Sequence, residues 1–145
     1  MRLWTSIEIA TSRDEVWRVL TDFDSYGQWN PYIGKIRGLL SPGEKLDVTA
    51  RPPGGVGRTF SPTVTGVREG EEFRWSWSLS RPWIFTGEHV FVLEEPAPGR
   101  TRLNHYEDFT GWLAPLHRLF RYAATRRGFK AMNVALRSRL EGNGK

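Results

Sequence analysis

The chain has 145 residues, no cysteine, and 21 Lys and Arg against 16 Asp and Glu, a formal charge of +5. That length fits one domain, residues 1–145, able to bury roughly two-thirds of its unfolded surface without disulfide or metal staples. The lack of cysteine excludes thiolate catalysis and cysteine-ligated metals.

The chain opens Met-Arg-Leu-Trp-Thr-Ser-Ile-Glu, without an apolar leader, and no later run approaches a membrane span; a cytoplasmic protein with no stable membrane insertion is expected. Leu3, Thr5, Ile7 and Ile9 alternate with Trp4, Ser6, Glu8 and Ala10, which predicts a half-buried first strand. Ser12 and Glu15 form a capping box, after which Val16, Trp17, Val19 and Leu20 mark the buried side of a short helix. Asp22 to Gly27 adds a further helical turn, which must stop before Asn30-Pro31 because a residue preceding proline is pushed out of the helical region.

From Ile33 to Phe109 the pattern is strand and turn. Ser41 to Glu44 is a turn, Leu46, Val48 and Ala50 alternate with polar residues, and Arg51 to Gly57 is a loop. That loop is glycine-rich but has neither the Gly-Lys-Ser/Thr ending nor the strand-to-helix setting of a phosphate cradle. Phe60 to Val67 and Glu72 to Leu79 read as strands, the second with Phe73, Trp75, Trp77 and Leu79 on one face. Trp83 to Glu94 and Arg100 to Thr110 pair across the turn Pro96 to Gly99. After Gly111 the period lengthens to that of a helix, with one stripe of Leu116, Leu119, Phe120 and Ala123 and another of Phe129, Met132, Leu136 and Leu140. One long helix is expected, bent or loosely wound near Arg126 to Gly128. Its Arg118, Arg126, Arg127, Lys130 and Arg137 fan over half the circumference, a solvated face rather than a phosphate stripe, so no nucleic-acid partner is expected.

Alternation puts His89 on the side of Phe91 and Leu93, and His105 and Glu107 on the side of Leu103 and Phe109. Three ionisable groups thus fall on an otherwise apolar face. Buried, they must either satisfy one another or meet a ligand, and alternation leaves both open. Two histidines and a carboxylate permit a metal geometrically, but no second-shell partner is visible; neither a metal nor a cofactor is expected.

Asp22 to Tyr32 after the first helix, Pro62-Thr-Val-Thr65, Phe73-Arg-Trp75, Gly87 to Leu93 and Thr101 to Gly111 together resemble the START-like, or SRPBCC, superfamily. The likeness is closest to its polyketide cyclase/dehydrase-like branch and spans nearly the whole chain. It implies an α+β helix-grip (START/Bet v 1-like) fold: a curved, seven-stranded antiparallel sheet around a long C-terminal helix, with short helices after the first strand and a deep apolar cavity. Similar relatives carry His and Glu at the positions of the trio, which favours an inward placement. Members of the superfamily bind lipids, sterols, plant hormones or polyketides, and some catalyse cyclisation or dehydration, so the fold leaves the activity open.

The expected function is binding or carriage of a small hydrophobic, cyclic or polyketide-like molecule in that cavity. Trp29, Tyr32, Phe60, Trp75, Trp77, His89, Phe91 and Phe109 are the candidate lining residues. The enzymatic alternative is a polyketide aromatase/cyclase or dehydratase in which His105 and Glu107 accept and donate the proton. A third is a protein-interaction module of chaperone-activator type using the basic surface. Oligomeric state is left open.

Overall fold

The computed structural model describes residues 1–142. Strand β1 (Arg2–Ile9) is followed by helix α1 (Arg13–Thr21), a single 3-10 turn at Phe23–Ser25, and helix α2 (Tyr26–Trp29). Ser12 caps α1 by accepting from the Glu15 N–H at 3.3 Å. The reciprocal half of the capping box is not made, because the Glu15 carboxylate turns outward to Arg18 at 2.8 Å. Helix α2 ends at Asn30, whose extended backbone suits the residue before Pro31. The Asn30 side chain accepts from the N–H groups of Tyr32 and Ile33, both at 2.9 Å, and so fixes the chain that carries Tyr32 inward.

The strands that follow are β2 (Ile33–Arg37), β3 (Asp47–Ala50), β4 (Arg58–Phe60), β5 (Thr63–Arg68), β6 (Glu72–Ser78), β7 (Thr86–Ala97) and β8 (Arg100–Thr110). Where seven strands in one sheet were expected, the described residues form eight in two antiparallel sheets, ordered β1-β8-β7-β6-β5 and β2-β3-β4. The expected strand from Phe60 to Val67 is split at Ser61-Pro62, where proline has no N–H to give a ladder. The Pro62 carbonyl instead accepts from Leu46, and the Val64 N–H donates to Glu44, so the two sheets meet through a short stretch of pairing and the curvature is kept.

Two helices, α3 (Ala114–Phe120) and α4 (Tyr122–Leu140), replace the single one expected. The break falls at Arg121, which leaves the helical region at φ −127°, and not at Gly128. Gly128 lies inside α4 for a different reason: a Cβ there would strike the ring of Tyr32. Helix α4 fills the grip with Phe129, Met132 and Leu136, all fully buried. The α3 stripe does not join them, since the break swings it off the sheet and leaves Leu116, Leu119 and Phe120 at 51, 74 and 72% exposure. Leu79 also lies outside the core, because β6 ends at Ser78.

Candidate functional site

Antiparallel register lines up three inward rows across the five-stranded sheet: Trp77, Gly87 and Phe109; Trp75, His89, Glu107 and Leu3; and Phe73, Phe91, His105 and Thr5. His89 and Glu107 are therefore direct neighbours, while His105 stands one row away opposite Phe91. The three ionisable groups do converge, in two different environments.

His105 is fully buried and stacked on Phe129 with ring centroids 4.2 Å apart. Its Nδ1 lies 2.8 Å from Asn133 Oδ1, and the Asn133 amide donates to Thr5 Oγ1 at 2.9 Å. Thr5 in turn donates to the His105 carbonyl at 2.7 Å. Because Asn133 presents its oxygen, His105 must carry its proton on Nδ1, and Nε2 is left as an acceptor. The partner at 2.7 Å is His89 Nε2, which must then be the donor. This assignment leaves His89 Nδ1 unprotonated and without a hydrogen bond among the described residues, and His89 lines a chamber. Burial holds both imidazoles neutral, His105 down to about 3 and His89 well below its ordinary value, with neighbouring His105 adding to the shift.

The chamber is lined by Tyr32, Arg58, Trp77, His89, Glu107 and His117, and its free volume is about 40 Å³, enough for only a few waters. Glu107 Oε2 accepts from Trp77 Nε1 at 2.6 Å. Gly87 makes that contact possible, since a Cβ there would sit 2.5 Å from the carboxylate oxygen and 2.7 Å from the indole nitrogen. Burial pushes the Glu107 carboxyl up to about 7, against the opposing pull of the Trp77 bond and the Arg58 charge. The Tyr32 hydroxyl is raised above its ordinary range, again chiefly by burial. His117 stacks against Phe85 at 5.2 Å and packs at a tilt on Phe109 at 4.2 Å, and its buried Nδ1 has no partner among the described residues. Its pKa is lowered to about 4 by burial and then by the Arg121 and Arg58 charges. The Arg58 guanidinium lies 5.4 Å over the Trp77 ring, and neither it nor Arg121 is within salt-bridge distance of a carboxylate among the described residues.

Outward from the chamber runs an open groove of about 620 Å³, walled by Phe60, Trp77, Phe85, Leu113, Leu116 and Phe120. Of the candidate lining residues, Tyr32, Phe60, Trp77 and His89 border the chamber or groove. Trp75 and Phe91 are instead fully buried in the aromatic core, where Phe91 stacks on Phe73 at 4.7 Å. Phe109 is 1% exposed against Phe85 and His117, and Trp29 packs on Tyr26 at the far end of the molecule from the chamber. The interior that the family resemblance implies to be a deep cavity is thus largely filled by rings.

Arg58, His117, Asn133 and Gly87 were not among the sequence candidates. Two carried a signal: Arg58 shares strand parity with Phe60, and Asn133 is a polar residue four positions after Phe129 on the buried stripe. His117 had none. Among the described residues no three His, Asp or Glu side chains are grouped to hold a metal ion.

This arrangement, a long C-terminal helix gripped by a curved antiparallel sheet above an inward polar cluster, is the START-like fold. Solved structures share it across the whole chain. A START superfamily protein from Mycobacterium smegmatis aligns at 20% identity and TM-score 0.71, covering 98% of both chains. The Zhui aromatase/cyclase from Streptomyces sp. R1128 aligns at 17% identity and TM-score 0.79, covering 100% of this chain and 96% of that one. A protein from Thermus thermophilus aligns at 12% identity and TM-score 0.74 over 100% of both. No curated protein matches the chain. The family model described as polyketide cyclase / dehydrase and lipid transport matches residues 2–142, and the chain belongs to that family.

Proposed function

We propose that the chain binds or carries a small hydrophobic, cyclic or polyketide-like molecule, its apolar body in the groove and its polar end in the chamber. The observation that carries this is the junction itself: an aromatic-walled groove of about 620 Å³ leads to a chamber lined by His89 and Glu107, where His89 Nδ1 has hydrogen-bonding capacity and no partner among the described residues. The chamber alone is too small for such a molecule, so the groove must hold most of it. Native mass spectrometry of the protein purified from its own host should find a retained apolar ligand, and Trp77→Ala should release it. A ligand-free protein that also fails to bind polycyclic aromatic and polyketide-like probes would refute the assignment.

A proton-transfer role is favoured by one further observation. His89 Nδ1, an acceptor, and Glu107, whose carboxyl keeps its proton to about pH 7, face the same chamber from adjacent strands. In a cyclisation or dehydration, His89 would take a carbon-bound proton while Glu107 delivers one to the carbonyl or departing hydroxyl oxygen. His105, which does not reach the chamber, is then a positioning residue that sets the tautomer of His89. With an identified substrate, Glu107→Gln should keep binding and lower turnover by about 10²–10⁴-fold. Unchanged turnover removes the catalytic role.

A further inference from the structure

The groove opens beside a protruding surface that shares Phe120 with its wall and extends well beyond it. Trp83 and Trp112 are 66 and 67% exposed, and Leu119 and Phe120 are 74 and 72% exposed. They belong to one patch. The Trp112 N–H donates to the Trp83 carbonyl at 3.2 Å and the Leu113 N–H to the Ile84 carbonyl at 3.0 Å, which ties the loop before β7 to the entry of α3. Across the groove mouth, Leu79 faces Leu116 and Phe120.

The charge around this patch has one sign. No Asp or Glu occurs between Glu72 and Glu88, or between Asp108 and Glu141. Arg81, Arg118 and Arg121 stand in those stretches, and none is within salt-bridge distance of a carboxylate among the described residues. The Arg81 guanidinium lies 5.7 Å over the ring of Trp83, so cation and aromatic are presented together.

We infer that this face docks on an anionic lipid bilayer, with Trp83, Trp112, Leu119 and Phe120 entering the headgroup region and Arg81, Arg118 and Arg121 meeting lipid phosphates. Two features favour a bilayer over an acidic protein. Trp83, Trp112 and Leu119 project outward instead of lining a concave seat, and a fluid interface accepts them without shape complementarity. Tryptophan flanked by arginine is also the combination that partitions to the boundary between headgroups and acyl chains. Docking is peripheral, since no helix among the described residues is long and apolar enough to cross a membrane. In this pose the groove mouth faces the bilayer, and an apolar molecule can pass between groove and lipid without crossing bulk water. The docking does not depend on what the groove carries and is measured on the protein alone.

Co-sedimentation with vesicles of phosphatidylcholine containing phosphatidylglycerol, against pure phosphatidylcholine, tests it. Three cations at the surface predict a preference for the anionic vesicles on the order of a hundredfold at low salt, falling as salt is raised. Tryptophan emission should shift to the blue on binding and be quenched by brominated acyl chains. Trp112→Ser combined with Leu119→Ser, neither of which lines the groove, should weaken binding by about tenfold or more, whereas Trp4→Ser, on the outer face of β1, should leave it unchanged. All these side chains are exposed, so circular dichroism should report folded variants. Absence of vesicle binding, equal binding to neutral vesicles, or full binding by the double variant overturns the inference, as does variant-sensitive binding to an acidic protein with none to vesicles.

Discussion

His105 and Glu107 sit two residues apart on the same face of β8, yet they have opposite fates. His105 is enclosed by a ring of hydrogen bonds through Asn133 and Thr5, with Phe129 and Phe91 stacked on it, and its remaining hydrogen bond goes to His89. Among the described residues Glu107 has one donor, Trp77, and it faces a chamber that opens to a groove. The difference is set by what lies over each strand position. Helix α4 covers the His105 row with Asn133, a matched partner, whereas the Glu107 row ends under Tyr32 and Arg58, which leave space. The ionisable group that is fully satisfied is closed off by the fold, and the one left short of partners faces the chamber.

Asn133→Leu should show the largest effect. It strands the His105 Nδ1–H and removes the amide that Thr5 receives, which costs about 2–4 kcal/mol of folding stability by urea unfolding. A loss below about 1 kcal/mol would mean that the His105 network is not what holds α4 to β1.

Acid titration separates the two regions next. The folded chain keeps the Glu107 proton to about pH 7 while an unfolded chain releases it near 4.5, so this group's contribution to stability falls as pH rises through that interval. His105 and His117, depressed to about 3 and about 4 from 6.5, do the reverse: their contribution is full above 6.5 and is lost as pH falls toward those values. Glu107 therefore offsets part of the histidines' acid lability. Glu107→Gln should steepen the loss of stability between pH 6.5 and 4.5, by up to about 3 kcal/mol across the interval. Parallel pH profiles for the two proteins would show that the carboxyl is not held protonated.

The smallest expected effect is on Glu107 itself. Trp77→Phe removes the hydrogen bond that favours the ionised carboxylate, so the Glu107 midpoint, followed by carbon-detected NMR, should move above its starting value. A downward movement would contradict burial as the dominant cause.

Much of the fold was legible because it rests on periodicity. Alternation in β1, β6, β7 and β8 placed His89, His105 and Glu107 inward, and the Ser12 cap marked the start of α1. The failures came where periodicity is blind to long-range packing. Leu116, Leu119 and Phe120 form a helical stripe whether they face a core or solvent, and only the break at Arg121 decides between the two. Gly128 looked like a weak point in a helix because propensity treats glycine as a cost; the structure uses its missing Cβ to admit the ring of Tyr32. Alternation likewise assigned Trp75, Phe91 and His89 to one surface, but could not say which would be buried under other rings and which would border space.

By itself, then, the sequence determined the order of strands and helices and the apolar face that carries the ionisable groups, since these depend on side-chain period and local turn chemistry, while the grip architecture and the family came from the resemblance of its segments to known relatives. Only the tertiary structure decided that Glu107 and His89 border the chamber, that His105 is locked behind them, and that the α3 stripe is a surface. Those outcomes depend on which residues distant in the chain occupy the volume above each strand position, and local pattern does not encode that volume.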